Sequence, residues 1–367
     1  MRKPARLAIG LALLGLAAVG VAAAQTAPQP RVTNAQMETR PAAAGLEKEF
    51  RAIVSSHAAS AWIGYSAPLI PGEHQMCCYS SVDNWNGSAC CGICRLEGKT
   101  DGGVNMQSEP VKLEGPRNMF VLFRIEQGRV QKIRSFSEDC QIDAGGVPFI
   151  WLTDARPAES VALLTSFVVN GDLDTKEGER TSHSALSAIA LHGDASADRA
   201  LESFVAPNQP ESLRRNTAFW LGSARGKRGY ELLRRMAQDD LSEHVRNQVT
   251  FALSVSREPE ALPELIRMAK SDSSTRVRGQ ALFWLAQKAG KKAAGTITEA
   301  IESDPDTDVK KRAVFALSQL PKDEGVLLLI QVARSNRNPV VRKQAMFWLG
   351  QSNDPRALAF IEEVLAH

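Results

Sequence analysis

Val277–Ala286 reads VRGQALFWLA and Val341–Gly350 reads VRKQAMFWLG; midway between them Val309–Ser318 reads VKKRAVFALS. Working outward, one row of residues recurs every 32 positions: Thr181, Leu213, Val245, Val277, Val309 and Val341. Eight residues later comes Ile189, Leu221, Leu253, Leu285, Leu317 and Leu349. Apolar residues four and eight apart share one stripe of an α-helix, so each copy holds an amphipathic helix. A second row, Leu201, Leu233, Leu265, Ile297, Leu329 and Ile361, marks another helix in the same period. Two helices of about 10–13 residues fill such a unit, and neither buries its stripe without neighbours. The spacing predicts an α-solenoid over residues 157–367, with six helix pairs and a last helix at 354–366. Only the first unit breaks the period, because Leu164–Val168 echoes Leu201–Val205 at a distance of 37, placing about five extra residues in the polar loop at 170–180.

The second helices resemble the HEAT repeat in its short bacterial form, also seen in phycobilisome lyases. The resemblance covers about 157–367 and implies a curved superhelix whose second helices line the concave face. Asn208, Asp240, Asp272, Asp304 and Asn336 precede the helix row by five residues, and Arg214, Arg246, Arg278, Lys310 and Arg342 follow one residue after it. A short Asx side chain accepts backbone N–H groups at a helix entrance, and a basic residue in the next copy is within reach. The resemblance implies an Asp/Arg ladder between repeats.

At about 100° per residue, Phe347 points about 160° from the middle of the stripe made by Val341, Ala345 and Leu349. Phe219, Phe251, Phe283, Phe315 and Phe347 share this outward position. Polar neighbours flank them, among them Arg215, Gln248, Gln280, Lys311 and Lys343. Either the rings lie open as an apolar strip rimmed by amides and cations, or they fold against the adjacent helix. An open strip has the composition of a protein-binding surface, and these ten residues are the candidate binding site. Trp220, Trp284 and Trp348 alternate with Ala252 and Ala316 one position later and read as inter-repeat packing.

The rest of the chain differs in texture. Arg2, Lys3 and Arg6 precede an apolar run from Leu7 to Ala24, the layout of a secretory signal cleaved after Ala24. Residues 25–45 read as a flexible linker, with three prolines and few large apolar side chains. Residues 46–156 read as an α+β module: a helix from Leu46, then β-type runs at 62–65, 119–125, 130–133 and 149–152, with a hairpin at Glu126–Arg129. All six cysteines fall here, at Cys77, Cys78, Cys90, Cys91, Cys94 and Cys140. In an exported chain they are expected to form three disulfides, stapling a small disulfide-rich module that caps the first repeat or adds a second surface. Cys91-Gly-Ile-Cys94 also fits a redox pair or half a zinc site, which keeps a thiol or metal enzyme as an alternative.

The charge excludes one class of partner. The formal +3 comes from 44 basic and 41 acidic residues, and three of the basic ones lie in the signal-like segment. Residues 25–156 carry 13 basic and 14 acidic side chains, and 157–367 carry 28 and 27. Neither half is a basic glove for nucleic acid. Glu73, His74, Asp139 and Asp143 have no spacing that fixes them as a catalytic set; Asp143-Ala-Gly-Gly146 reads as a turn, and His183, His192 and His244 read as surface or turn residues. With no nucleophile, phosphate or dinucleotide motif, the expectation is a mainly α, periplasmic or secreted, non-catalytic scaffold. It has no catalytic residues, metal or cofactor, no stable membrane insertion after cleavage, and a protein or peptide partner on the concave face. A lyase-like activity of the repeats is a second alternative, suggested by the resemblance only.

Overall fold

The computed structural model describes residues 28–57, 59–72, 93–97, 116–169 and 176–366. The N-terminal module is built on a five-stranded sheet. Its strands are β2 (Met37–Pro41), β3 (Ala61–Pro68), β5 (Asn118–Glu126), β6 (Arg129–Ser137) and β8 (Phe149–Thr153), in the order β2-β8-β3-β5-β6. β5 and β6 form the hairpin read from the sequence, closing at Gln127 and Gly128, both at positive φ (51° and 70°). That is the backbone a two-residue hairpin loop requires. Alternation divides the sheet between two cores. Ile63, Tyr65, Val121, Phe123, Ile150 and Leu152 face one side, while Trp62, Phe120, Leu122, Phe149 and Trp151 face the other. The second side is covered by a small parallel sheet of β1 (Arg31–Thr33), β7 (Gln141–Asp143) and β4 (Ile93–Arg95), in the order β1-β7-β4.

Two sequence expectations change here. The stretch 25–45, read as a linker, contributes β1 and β2: strand pairing satisfies its backbone even where side chains are polar. β2 lies parallel to β8 at the sheet edge, where Pro41 is tolerated. Of the cysteines, Cys94 and Cys140 are buried in the second core, and Cys77, Cys78, Cys90 and Cys91 lie outside the described residues. A disulfide-rich character is therefore not shown, and this core is filled by Trp62, Trp151, Phe120 and Phe149.

The first side of the sheet is covered by helices. α1 (Leu46–Ser56) buries Leu46, Phe50 and Ile53. α2 (Pro157–Val169) and α3 (Lys176–Leu191) are the first pair of the array, with α1 against α2 and α3 across β6. Phe123 of β5 is the centre of this contact, with ring centroids 4.7 Å from Phe50, 5.9 Å from Tyr65 and 5.6 Å from Phe167 of α2. The buried Ser160 hydroxyl donates to the Tyr65 hydroxyl at 3.0 Å. One hydrophobic cluster joins buried residues from Ala42 to Phe360. The module is thus the cap of the first repeat.

His192, read as a surface or turn residue, is fully buried at this joint, where the chain leaving α3 bridges Leu69 after β3. Its Nδ1 accepts the Asp194 backbone N–H at 3.1 Å. Arg225 donates to the His192 carbonyl at 2.9 Å and pairs with Asp198. Burial pushes His192 down from its ordinary 6.5 to about 4; Asp194 opposes the shift and Arg225 adds to it. As pH falls below 6.5 the unfolded chain takes a proton that the fold refuses, so stability declines until about pH 4. The total is on the order of 3 kcal/mol. A pH series of urea melts should show this decline, and His192→Asn, which keeps an acceptor, should flatten it; an unchanged slope would refute the assignment.

The remaining helices alternate as the period demands: α4 (Ala195–Phe204), α5 (Glu211–Ala224), α6 (Gly226–Asp239), α7 (Glu243–Val255), α8 (Ala261–Ser271), α9 (Thr275–Ala289), α10 (Ala294–Ser303), α11 (Thr307–Ser318), α12 (Lys322–Ser335), α13 (Pro339–Gln351) and α14 (Pro355–Leu365). The second helices α5, α7, α9, α11 and α13 pack on one another in series. Their stripe residues Leu221, Leu253, Leu285, Leu317 and Leu349 are all buried. At Gly222 the backbones come so close that a Cβ would stand 2.2 Å from the Ala252 carbonyl oxygen, so no larger residue fits.

Candidate functional site: the ladders of the second helices

Two ladders run along the second helices, one of charge and one of aromatic rings. In the first, Asp240, Asp272 and Asp304 each accept a backbone N–H two residues on, at 2.8–2.9 Å, as the helix entrance requires. Each carboxylate also receives a two-pronged arginine. Arg214 reaches Asp240 at 2.8 and 3.1 Å, Arg246 reaches Asp272 at 2.9 and 3.1 Å, and Arg278 reaches Asp304 at 2.8 and 3.1 Å. The arginine comes from the preceding copy, not from the next. Hydrogen bonding to Asp304 holds the Arg278 guanidinium above its ordinary range. The series stops at α11. Lys310 turns back to the Glu302 carbonyl at 2.8 Å, and its counterpart Asn336 is neutral, donating to Glu302 at 3.1 Å. Lysine has no fork to span the gap, and the missing negative charge removes the need.

The five phenylalanines do share one face, but only the last is open. Phe219, Phe251, Phe283 and Phe315 are half-buried, whereas Phe347 is 54% exposed. Phe219 stacks on Phe251 (5.9 Å between centroids, 10° between planes) and Phe283 on Phe315 (5.7 Å, 3°). Between these pairs Phe251 meets Trp284, and Phe315 meets Trp348, each at 4.8 Å. Trp220, Trp284 and Trp348 also touch the phenylalanine just before them. The alternation of tryptophan with Ala252 and Ala316 thus sets the contact type. Where the incoming helix carries Phe-Ala, two phenylalanines lie flat; where it carries Phe-Trp, the indole takes the contact. Of the two arrangements the sequence left open, Phe219, Phe251, Phe283 and Phe315 fold against adjacent helices, and Phe347 stays open.

The polar residues named with the phenylalanines line the same face. Arg215 and Lys343 are exposed, and Gln248, Gln280 and Lys311 are half-buried, with Lys311 held by Asp308 at 2.9 Å. His183, read as a surface or turn residue, is exposed on α3, and its Nε2 lies 2.8 Å from Asn216 Nδ2 of α5. Of the four residues considered as acid, base or ligand, Asp139 and Asp143 lie among the described residues. Asp143 accepts the Gly145 backbone N–H at 2.9 Å in the expected turn, and Glu73 and His74 lie outside the described residues. A cleft of about 300 Å³ overlies Asp272, Arg278 and Asp304, where charge is already neutralised within the ladder. Among the described residues, no cluster of three or more His, Cys, Asp or Glu side chains is placed to hold a metal, and no helix is long and apolar enough to cross a membrane.

Residues 199–286 and 295–367 match the family model described as HEAT repeats. No curated protein matches the chain. Among solved structures, human deoxyhypusine hydroxylase is 20% identical, covers 56% of this chain and 89% of its own, and gives a TM-score of 0.29. The CpcE–CpcF complex of phycocyanin lyase from Nostoc sp. PCC7120 is 23% identical over 42% of this chain and 99% of that one, with a TM-score of 0.32. YibA of E. coli is 19% identical over 57% and 76%, with a TM-score of 0.34. At these scores the likenesses say nothing of activity. The period, the paired helices and the family match agree: the array at 199–367 is built of HEAT repeats.

Proposed function

We propose that this chain is an exported, non-catalytic scaffold that binds a protein or peptide along the second-helix face of its HEAT repeats. HEAT repeats suggest protein partners in general. The observation that carries the reading is the aromatic ladder. A continuous run of half-buried rings from Trp220 to Trp348, ending in the exposed Phe347 and edged by Arg215, Gln248, Gln280, Lys311 and Lys343, offers apolar contact inside a polar rim. Such rings lose little conformational freedom on binding, because neighbours already hold them. Export rests on the signal-like segment at 1–24, and periplasmic or secreted placement follows from it.

The ladder also changes which variant is informative. Phe283 and Phe315 support each other, so replacing them costs stability together with binding. Phe347→Ser is the cleaner probe. In a crosslinked pulldown from the native cell envelope, it is expected to reduce capture of the main partner about tenfold, as loss of a hot-spot ring does. Its thermal stability should stay within about 0.5 kcal/mol of the parent. Undiminished capture by Phe347→Ser combined with Lys343→Glu would overturn the reading.

A further inference from the structure

Where α5 packs on α3, and again where α9 packs on α7, a cation from the incoming helix ties off the end of the helix before it. Arg225, just after α5, donates through Nη1 to the Ala190 carbonyl at 3.2 Å and to the His192 carbonyl at 2.9 Å. Lys288 of α9 donates through Nζ to the Ser254 carbonyl at 2.9 Å and to the Ser256 carbonyl at 2.6 Å. The acceptors are the same pair of positions, because two steps of 32 carry 190 and 192 to 254 and 256. The last carbonyls of an α-helix have no partner within it and carry the negative end of its dipole, so a cation is favoured there. In both junctions the incoming helix carries the Phe-Trp pair, Phe219-Trp220 and Phe283-Trp284.

The third Phe-Trp junction, where α13 packs on α11, keeps the acceptors and changes the cation. Two further steps place the carbonyls at Ser318 and Leu320, with Ser352 at the position of Lys288 and Asn353 at that of Arg225. The Ser352 hydroxyl donates to the Leu349 carbonyl of its own helix at 2.7 Å. Among the described residues no protein donor reaches the Ser318 or Leu320 carbonyl. A cleft of about 260 Å³ lies there between α11, α12 and α13, lined by Ser318, Leu320 and Ser352, with Val326, Leu329 and Trp348 as apolar wall. Lys322, the cation on its wall, is exposed, and no carboxylate lines it. Carbonyl oxygens beside an apolar wall suit an ammonium carried on a hydrocarbon stem, the form in which Lys288 meets the same positions.

We propose that this cleft binds a primary alkylammonium group, its nitrogen bridging the Ser318 and Leu320 carbonyls as Lys288 bridges Ser254 and Ser256, and its carbon chain lying against Val326, Leu329 and Trp348. The site goes beyond binding along the lateral face, with which it shares Trp348, and stands whether or not that face takes a partner. The probe is n-pentylamine at neutral pH, titrated into the full chain and followed by saturation-transfer NMR. Saturable binding with a Kd of about 1–10 mM is expected. Ser352→Lys supplies the cation from the chain itself, and it should weaken pentylamine binding at least about tenfold while raising the melting temperature by about 1–2 °C. Cadaverine and Nα-acetyl-lysine methylamide separate the two sources of such a group: tighter binding of the first assigns a free diamine, and of the second a lysine side chain of a partner. Absence of saturation up to about 50 mM, or equal binding by Ser352→Lys and the parent, would overturn the proposal. So would n-pentanol binding as tightly as n-pentylamine, since the carbonyl pair would then contribute nothing.

Discussion

Replacing Arg278 by alanine is expected to cost about 3–5 kcal/mol of stability, the penalty for removing one partner of a buried ion pair. The guanidinium ties three groups together: both Asp304 oxygens in the next repeat and the Asp272 carbonyl at 2.9 Å at its own helix entrance. Removing it leaves the buried Asp304 carboxylate with the Asp306 backbone N–H but without a counter-charge. Arg342→Ala is the internal control. It occupies the same position in the last pair, donates to the Asn336 carbonyl at 2.8 Å, and faces no ladder carboxylate. Its loss should cost about 1 kcal/mol, the worth of an ordinary hydrogen bond. Urea unfolding followed by circular dichroism measures both, and equal losses at the two positions would contradict the ladder as described.

Phe123→Ala should have an effect of similar size, about 3–5 kcal/mol, for a different reason. The ring is fully buried between Phe50, Tyr65 and Phe167, so the deletion opens a cavity where sheet, α1 and α2 meet. Because the module and the first repeat share one core, the damage should cross the joint. Hydrogen exchange should show lost protection in α2 and α3 as well as in β3 and β5. Loss confined to the strands would mean that the cap and the array fold separately.

The array was legible because its signal repeats. One buried residue says little about a helix, but rows such as Val245, Val277, Val309 and Val341, all fully buried, state the same packing rule several times. The module was legible in pieces. Runs such as 119–125 declare themselves by composition, whereas Arg31–Thr33 and Met37–Pro41 become strands through pairing with β7 and β8, partners distant in sequence. The candidate site fell between these cases. Angular position placed the phenylalanines on one face but not their inclination, which depends on whether the next helix brings Ala252 or Trp284. His192 was misread because nothing local distinguishes a histidine in an exposed turn from one buried where the chain bridges Leu69, just beyond β3.

The stop in the charge ladder at Lys310 and Asn336 bears on mechanics. Three successive junctions, 214 to 240, 246 to 272 and 278 to 304, are each pinned by a forked ion pair that resists twisting of one repeat on the next. The junction after α11 has no such pin; there Asn336 meets Glu302 through a single hydrogen bond, and Phe315 rests on Trp348. This junction is thus braced by single hydrogen bonds where the three before it carry charge-assisted forks, and it is expected to twist more readily under load than they do.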